Sequence, residues 1–163
     1  MGFSLMFMRV DRTAVVDADR EGVRAFLEAR RLTLVPGKEV DQFADAHGLL
    51  RFDGHTTDLH LDSLESEEPL TGGIWHASMS AEELEFIYDL CVAGRVLIVN
   101  PQGSPLFLVP AGNHTSEQLP DGVDQDSDVV WVNSAAELSD MLSGGASRFF
   151  EYKNRVIGLA NDD

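Results

Sequence analysis

Two stretches of this chain carry the same helix-start signal, and each follows a short apolar segment. Ser80-Ala-Glu-Glu83 and Ser134-Ala-Ala-Glu137 both place a serine three residues before a glutamate, which is the pattern of a capping box. In such a box the serine side chain accepts from the backbone amide of the glutamate, and the glutamate reaches back to the serine amide. Behind Ser80, apolar residues continue at helical spacing up to Gly94, a helix stop signal. Helices that alternate with short apolar segments indicate a fold of mixed α and β structure.

The short apolar segments predict strands along most of the chain, with turn sequences between them. Asp53-Gly54 is a favoured hairpin turn, and 100–103 (Asn-Pro-Gln-Gly) is a second turn sequence. The segment 38–48 is left open between a polar loop and one helical turn around Phe43. The predicted strands are Phe3–Val10, Leu32–Val35, Leu49–Phe52, Thr57–Leu61, Gly73–Met79, Arg95–Val99, Leu106–Val109 and Val129–Val132.

Four helices are predicted from capping residues and apolar spacing. The first begins at Asp17 or Asp19 and ends near Arg31. The second and third follow Ser80 and Ser134, and the last runs over 147–157. A chain of 163 residues has the length of one domain. We therefore expect a single compact α+β domain over 1–163, with a mixed or mainly antiparallel sheet and about four helices packed mostly on one side.

The negative charge of the chain is concentrated in its middle. The formal net charge is −16, and between Arg51 and Arg148 the single basic residue Arg95 stands against seventeen carboxylates. The flanking segments are balanced in charge. A field of this sign repels nucleic acid and anionic membrane surfaces, and it attracts cationic partners. We expect neither a nucleic-acid nor a membrane partner.

Several classes of function lack the residues that they require. Cys91 is the only cysteine, so the chain has no internal disulfide and no cysteine metal cluster. The glycines do not form a phosphate-binding or dinucleotide-binding motif, so no cofactor is expected. No apolar run approaches the roughly 20 residues that a membrane span needs. We expect a cytoplasmic location, a buried structural thiol at Cys91, and core positions for Trp75 and Trp131.

A histidine and carboxylate cluster is the first candidate for chemistry. On a strand, Asp58, His60 and Asp62 share one face, and His55 precedes them. Such side chains can hold a divalent cation, but a solvated face of a half-buried strand needs the same polar pattern. No tight metal-binding spacing supports the first reading, so we predict no metal site. His76 with Ser78 or Ser80 is a second candidate, although Ser80 is already explained as a helix cap.

We therefore predict a non-catalytic protein-binding module rather than an enzyme. Its carboxylates suit a basic partner, so we predict that the chain is a bacterial immunity protein or antitoxin that occludes the active site of a cationic toxin domain. The alternative is a small metal-dependent or acid–base enzyme that uses Asp58, His60, Asp62 and His76. The predicted partner-binding residues are Asp58, Asp62, Glu65, Glu67, Glu68, Asp121, Asp124, Asp126 and Asp128.

Overall fold

The computed structural model describes residues 3–103 and 105–142. Three α-helices lie in this part of the chain: α1 (Arg20–Ala29), α2 (Ala81–Gly94) and α3 (135–142). The predicted last helix, 147–157, lies outside the described residues. None of the helices described has the length and apolar character that a membrane span requires.

Short strands make up most of the remaining secondary structure. They are β1 (Phe3–Asp11), β2 (Ala14–Val16), β3 (Thr33–Val35), β4 (Asp41–Asp45), β5 (Gly48–Leu49), β6 (Arg51–Phe52), β7 (His55–Thr56), β8 (His60–Leu61), β9 (Gly72–Ala77), β10 (Leu97–Val99), β11 (Phe107–Pro110) and β12 (Val129–Val132).

Ten of these strands form one sheet. Eight of them lie side by side in the order β12-β11-β10-β1-β9-β8-β4-β3, and the other two, β2 and β5, each pair with one of these eight. Strand β2 pairs with the end of β1, strand β5 pairs with β4, and β6 and β7 form a separate ribbon. Among the described strands every pairing is antiparallel except that of β11 with β12. The predicted α+β class with a mixed, mostly antiparallel sheet is confirmed.

The helices cover one face of the sheet. Strand β1 alternates so that Leu5 and Phe7 are buried, and both belong to the same apolar cluster as the buried residues of all three helices. The spacing of apolar residues on α2 predicts an inner face of Leu84, Ile87, Tyr88 and Cys91; Leu84, Ile87 and Cys91 are fully buried, and Tyr88 is half-buried. Burial raises the pKa of the Cys91 thiol, as expected for a structural cysteine.

The opposite face of the sheet is only partly covered. Strands β11 and β12 are parallel, so the connection 111–128 must return along the sheet before β12 begins. It does so across the second face, where Leu119 packs with Val10, Leu97 and Val109 in a separate buried cluster. The long acidic segment is therefore a crossover that closes one end of this face.

Two parts of the prediction are wrong in the middle of the chain. Segment 38–48 contains strand β4, neither a loop nor a helical turn. Its single aromatic residue, Phe43, points into the core. Both predicted hairpin strands are divided between the two sheets. Leu49–Phe52 becomes the end of β5 in the main sheet and β6 in the small ribbon. In place of Thr57–Leu61, β7 ends at Thr56 in the ribbon and β8 begins at His60 in the main sheet. The Asp53-Gly54 hairpin is confirmed.

Both capping boxes begin helices, but the glutamates reach further back than expected. The Ser80 hydroxyl accepts from the Glu83 amide at 3.2 Å, as predicted. The Glu83 carboxylate, however, accepts from the amides of Ser78 and Met79 at 2.8 and 3.2 Å. Burial raises the pKa of Glu83, and these amide donors partly oppose that shift. In the same way Glu137 accepts from the amide before its serine.

The first helix is capped by Asp19, and this end packs tightly against α2. The Asp19 carboxylate accepts from the Gly22 amide at 3.0 Å, and the Asp19 amide donates to the Gly94 carbonyl at 2.8 Å. A Cβ atom on Gly22 would lie 2.0 Å from the carbonyl oxygen of Ala93, so only glycine allows this approach. The second predicted cap, Asp17, instead pairs with Arg20, which lowers the pKa of Asp17.

Candidate functional site: the open half of the second sheet face

One row of residues crosses the second face of the sheet, and at Met6 this row passes from the half that the crossover covers to the half that is open. In register across β10, β1, β9 and β8, Val99 is opposite Met6, Met6 is opposite Gly73, and Gly73 is opposite His60. Val99 lies under the crossover and is 8% exposed, whereas Met6 is 42% exposed. The row therefore marks the boundary at which this face opens to solvent.

Gly73 forms the floor of a groove between Met6 and His60. A Cβ atom at this position would lie 2.8 Å from the carbonyl oxygen of Leu5 and 3.3 Å from Nε2 of His60. The absence of a side chain therefore lets the His60 ring lie over the backbone of β9. The resulting groove has a volume of about 390 Å³.

Trp75 stands at one end of this groove. Its ring stacks on His60 with centroids 4.1 Å apart and an interplanar angle of 28°. Nδ1 of His60 lies 2.9 Å from the carbonyl oxygen of Asp58, which orients the imidazole. Trp75 is nevertheless 49% exposed. An aromatic ring that is fixed on one side and open to solvent suits a binding surface.

The prediction that both tryptophans are core residues is wrong. Trp75 faces the half of the sheet that nothing in the described residues covers. Trp131 lies on β12, at the end of the strand order, and is 41% exposed. A sequence pattern of alternating residues identifies the two faces of a strand but does not identify which of them is covered.

Asp58 connects the end of the groove to His76. Its Oδ1 accepts from the amides of Trp75 and His76 at 3.1 and 3.2 Å, and its Oδ2 lies 2.6 Å from Nδ1 of His76. The hydrogen bonds of the Asp58 carboxylate therefore hold the segment before β8 against β9. The contact with His76 leaves Nε2 of that exposed imidazole directed away from Asp58. No hydrogen bond among residues 3–103 and 105–142 joins His76 to Ser78 or Ser80.

Asp62 lies at the far end of the groove from Trp75. Its Oδ2 accepts from the amide and the hydroxyl of Thr71 at 3.2 and 2.7 Å. Its Oδ1 accepts no hydrogen bond from the residues that the structure describes. Asp62 is the one carboxylate among the residues that line the groove, and that lining contains no lysine or arginine. The electrostatic character of the groove is therefore acidic.

The first acidic loop follows Asp62 and is fixed to the start of α1. Arg20 donates to the carbonyl oxygens of Leu64 and Ser66 at 2.8 and 2.7 Å, so the loop backbone is held by a cation. Its carboxylates point outward. Glu65 lies 3.7 Å from Arg24, and Glu67 and Glu68 are exposed without a salt-bridge partner in the described part of the chain.

The second acidic loop precedes β12. Asp124 accepts from the Asp126 amide at 3.0 Å, and a hydrogen bond from Ser127 is the largest cause of its lowered pKa. The Asp124 amide donates in turn to Asp128 at 3.3 Å. Asp121 and Asp126 are exposed. This loop is therefore a folded turn. Asp121 and Asp126 point to solvent, whereas Asp124 and Asp128 accept hydrogen bonds from the backbone of the loop.

The acidic middle of the sequence becomes two separate patches. One follows β8 and the other precedes β12, and five inter-strand steps of about 4.8 Å place these strands about 24 Å apart. The open groove lies at β1, β9 and β8, between the first patch and the crossover.

The four residues considered for metal binding are not gathered at one point. His55 lies on the separate β6–β7 ribbon, and Asp58 is occupied by His76 and two amides. His60 and Asp62 do share the groove, as strand alternation predicts. Within the described residues, no group of three or more histidine, cysteine or acidic side chains is placed to hold a metal ion.

One buried polar residue was not singled out by sequence reasoning. His114, in the crossover, is 3% exposed, and its Nε2 accepts from the Val10 amide at 3.1 Å. Its Nδ1 is buried without a partner in the structure described. Burial lowers the pKa of His114 to about 4, with a smaller contribution from Arg9. His114 therefore fastens the crossover to β1.

Comparison with protein-family models, with curated proteins and with solved structures found no match for this chain.

Proposed function

We propose that this chain is an acidic, non-catalytic protein-binding module that neutralises a cationic toxin domain by occluding its active site, as an immunity protein does. The observation that carries this proposal is the open groove with Trp75 exposed beside it, in a chain of net charge −16. Interfaces commonly combine a central aromatic anchor with a polar rim. Here the rim is acidic, which selects a basic partner.

The distribution of ion pairs supports a cationic partner. Among the described residues, Arg20, Arg24, Arg30 and Arg95 already pair with acidic side chains. The exposed carboxylates of Glu67, Glu68, Asp121 and Asp126 have no such pairing in the part of the chain described. A surface with this excess of negative charge accelerates the association of a basic protein, and salt weakens the effect.

Asp58 and Asp62 have a different role from the other proposed partner-binding carboxylates. Both are partly buried and accept internal hydrogen bonds that shape the groove. We infer that they contribute at the centre of the interface, while the exposed loop carboxylates act at longer range. The competing proposal is a small metal-dependent or acid–base enzyme that uses Asp58, His60, Asp62 and His76, and it requires a substrate rather than a protein partner.

The test begins with capture of the partner from the native cell at low salt, using the full chain. The proposal is supported if the captured protein is basic and if its enzymatic activity falls when this chain is added in stoichiometric amount. A captured protein whose activity is unchanged would contradict neutralisation.

Charge reversal in the acidic loops then tests the electrostatic part. The variant Glu67→Lys, Glu68→Lys, Asp126→Lys should slow association by about tenfold or more at low salt, because exposed charges act mainly on the association rate. Its melting temperature should be almost unchanged, because the three side chains make no described salt bridge. The measurement is a binding time course at two ionic strengths.

A matched control keeps the same change of net charge but places it elsewhere. Glu28, Glu39 and Glu85 are exposed and lie outside both acidic loops. Reversal of these three residues to lysine should slow association much less than the loop variant. Equal effects of the two triple variants, or rates indifferent to salt, would remove the argument that these loops direct the partner.

A further inference from the structure

We propose that the groove over Gly73 binds one arginine side chain of the partner, which lies against Trp75 at one end of the groove and pairs through its guanidinium group with Asp62 at the other. This inference rests on the proposed function, because it names the chemical group that a basic partner presents to the centre of the site.

The shape of the groove suits a long, narrow side chain. Its floor is the bare backbone at Gly73, and its two sides are Met6 and His60. A volume of about 390 Å³ accommodates a single extended side chain rather than a helix or a strand. The thioether and methylene groups of Met6 offer an apolar contact for the aliphatic stem of an arginine.

The charges of the groove select a cation. Asp62 is held by Thr71 through one oxygen, and its other oxygen is directed to no donor within the described structure. Asp58 adds a second carboxylate beside Trp75. A cation that enters the groove therefore meets an aromatic face at one end and a fixed carboxylate at the other.

Arginine fits this arrangement better than lysine. The guanidinium group is planar and weakly hydrated, stacks on aromatic rings and donates to a carboxylate through several N–H groups. An ammonium group is compact and strongly hydrated, so it lacks the planar, two-point contact that a guanidinium group makes with a carboxylate. Because His60 already holds the Trp75 ring, little side-chain order has to be imposed when the arginine binds.

The test uses the full chain and short peptides rather than the unidentified partner. The probe is the blocked peptide acetyl-Gly-Arg-Gly-amide, and the matched peptides carry lysine, citrulline or leucine in place of arginine. Binding is followed by two-dimensional NMR. The Trp75 indole N–H and the Gly73 amide should shift saturably, while the Trp131 indole, on a distant strand, serves as an internal reference and should not move.

We expect arginine to bind about tenfold more tightly than citrulline, which keeps the shape but lacks the charge, and several-fold more tightly than lysine. Trp75→Leu and Asp62→Asn should each weaken arginine binding at least fivefold. The asparagine oxygen can still accept from Thr71, so the groove keeps its shape. Glu39→Gln, which removes an exposed carboxylate outside both acidic loops, should leave the affinity unchanged within twofold.

Equal binding of the arginine and citrulline peptides would overturn the proposal, as would tighter binding of the leucine peptide, which would indicate an apolar occupant. Shifts confined to the acidic loops would also overturn it. Failure of the arginine site can be distinguished from failure of the proposed function. A neutralised toxin whose binding tolerates Trp75→Leu overturns the arginine site alone, whereas arginine binding without any neutralised partner counts against the toxin assignment.

Discussion

His114 should make the stability of this fold depend on pH in a specific way. The side chain is buried in the crossover and fastens it to β1 through the Val10 amide. Because Nε2 accepts this bond, the ring must be neutral, with its proton on Nδ1. Protonation would remove the acceptor and place a charge at a buried site.

The sign and size of the effect follow from the two pKa values. The pKa of a histidine is 6.5 in the absence of perturbation and about 4 for His114 in the folded protein. Between these values the unfolded chain binds the proton more readily, so the free energy of unfolding falls as the pH is lowered. At about 1.4 kcal/mol per pH unit, roughly 2 kcal/mol is lost by pH 5 and about 3 kcal/mol by pH 4. Above about pH 7.5 this contribution is fully present.

The assay is urea unfolding of the wild-type chain and of His114→Gln between pH 4 and pH 7.5. The glutamine oxygen can accept from the Val10 amide but does not titrate. Wild type and variant contain the same carboxylates, so the pH-dependent contributions of these groups cancel in the difference between the two free energies of unfolding. We expect wild type to lose about 3 kcal/mol relative to the variant over this range. A difference that stays constant with pH would refute the burial of a neutral His114.

Two further substitutions test the packing and backbone geometry of α2. Leu84→Ala should lower the free energy of unfolding by about 2–5 kcal/mol, because Leu84 is fully buried in the main core. The measurement is denaturant unfolding, and a loss below about 0.5 kcal/mol would show that this face of α2 does not pack in the core. Arg95 ends the helix with φ = 55°, so Arg95→Gly should raise stability by about 1 kcal/mol despite the loss of its distant pairing with Asp19. Arg95→Ala keeps the Cβ atom and should give no such gain, and a thermal melt of the two variants distinguishes them.

Local signals in the sequence predicted local structure well. The strand β1, the helix after Ser80 and the Asp53-Gly54 hairpin all follow from patterns within about 15 residues. Strand β4 was missed because it begins and ends with aspartate and contains one large apolar residue, Phe43. Its place in the sheet depends on pairing with β3 and β8, which no local pattern contains.

The candidate site was harder to predict because it is made by strand order. Met6, Gly73 and His60 are far apart in the sequence and meet only because β1, β9 and β8 are neighbours. His60 and Asp62 were noticed as a polar pair, but the strand pattern gave no sign that Trp75 would stack on His60. Buried His114 was missed for a similar reason, since its surroundings come from the opposite end of the chain.

The separation of the acidic loops from the groove has a kinetic consequence. The loop carboxylates are exposed and act over distances comparable to the screening length of about 8–10 Å, so they bear on encounter more than on the bound state. The Trp75 groove makes contact only after encounter, so Trp75→Leu should act mainly on the dissociation rate. Since the second loop precedes β12, which lies about 19 Å from the strand of Trp75 by four steps of strand spacing, its charge reversals and Trp75→Leu should be additive in binding free energy. Strong coupling between them would mean that the loop and the groove form one contact surface in the complex, which would require the crossover to move toward β8 on binding.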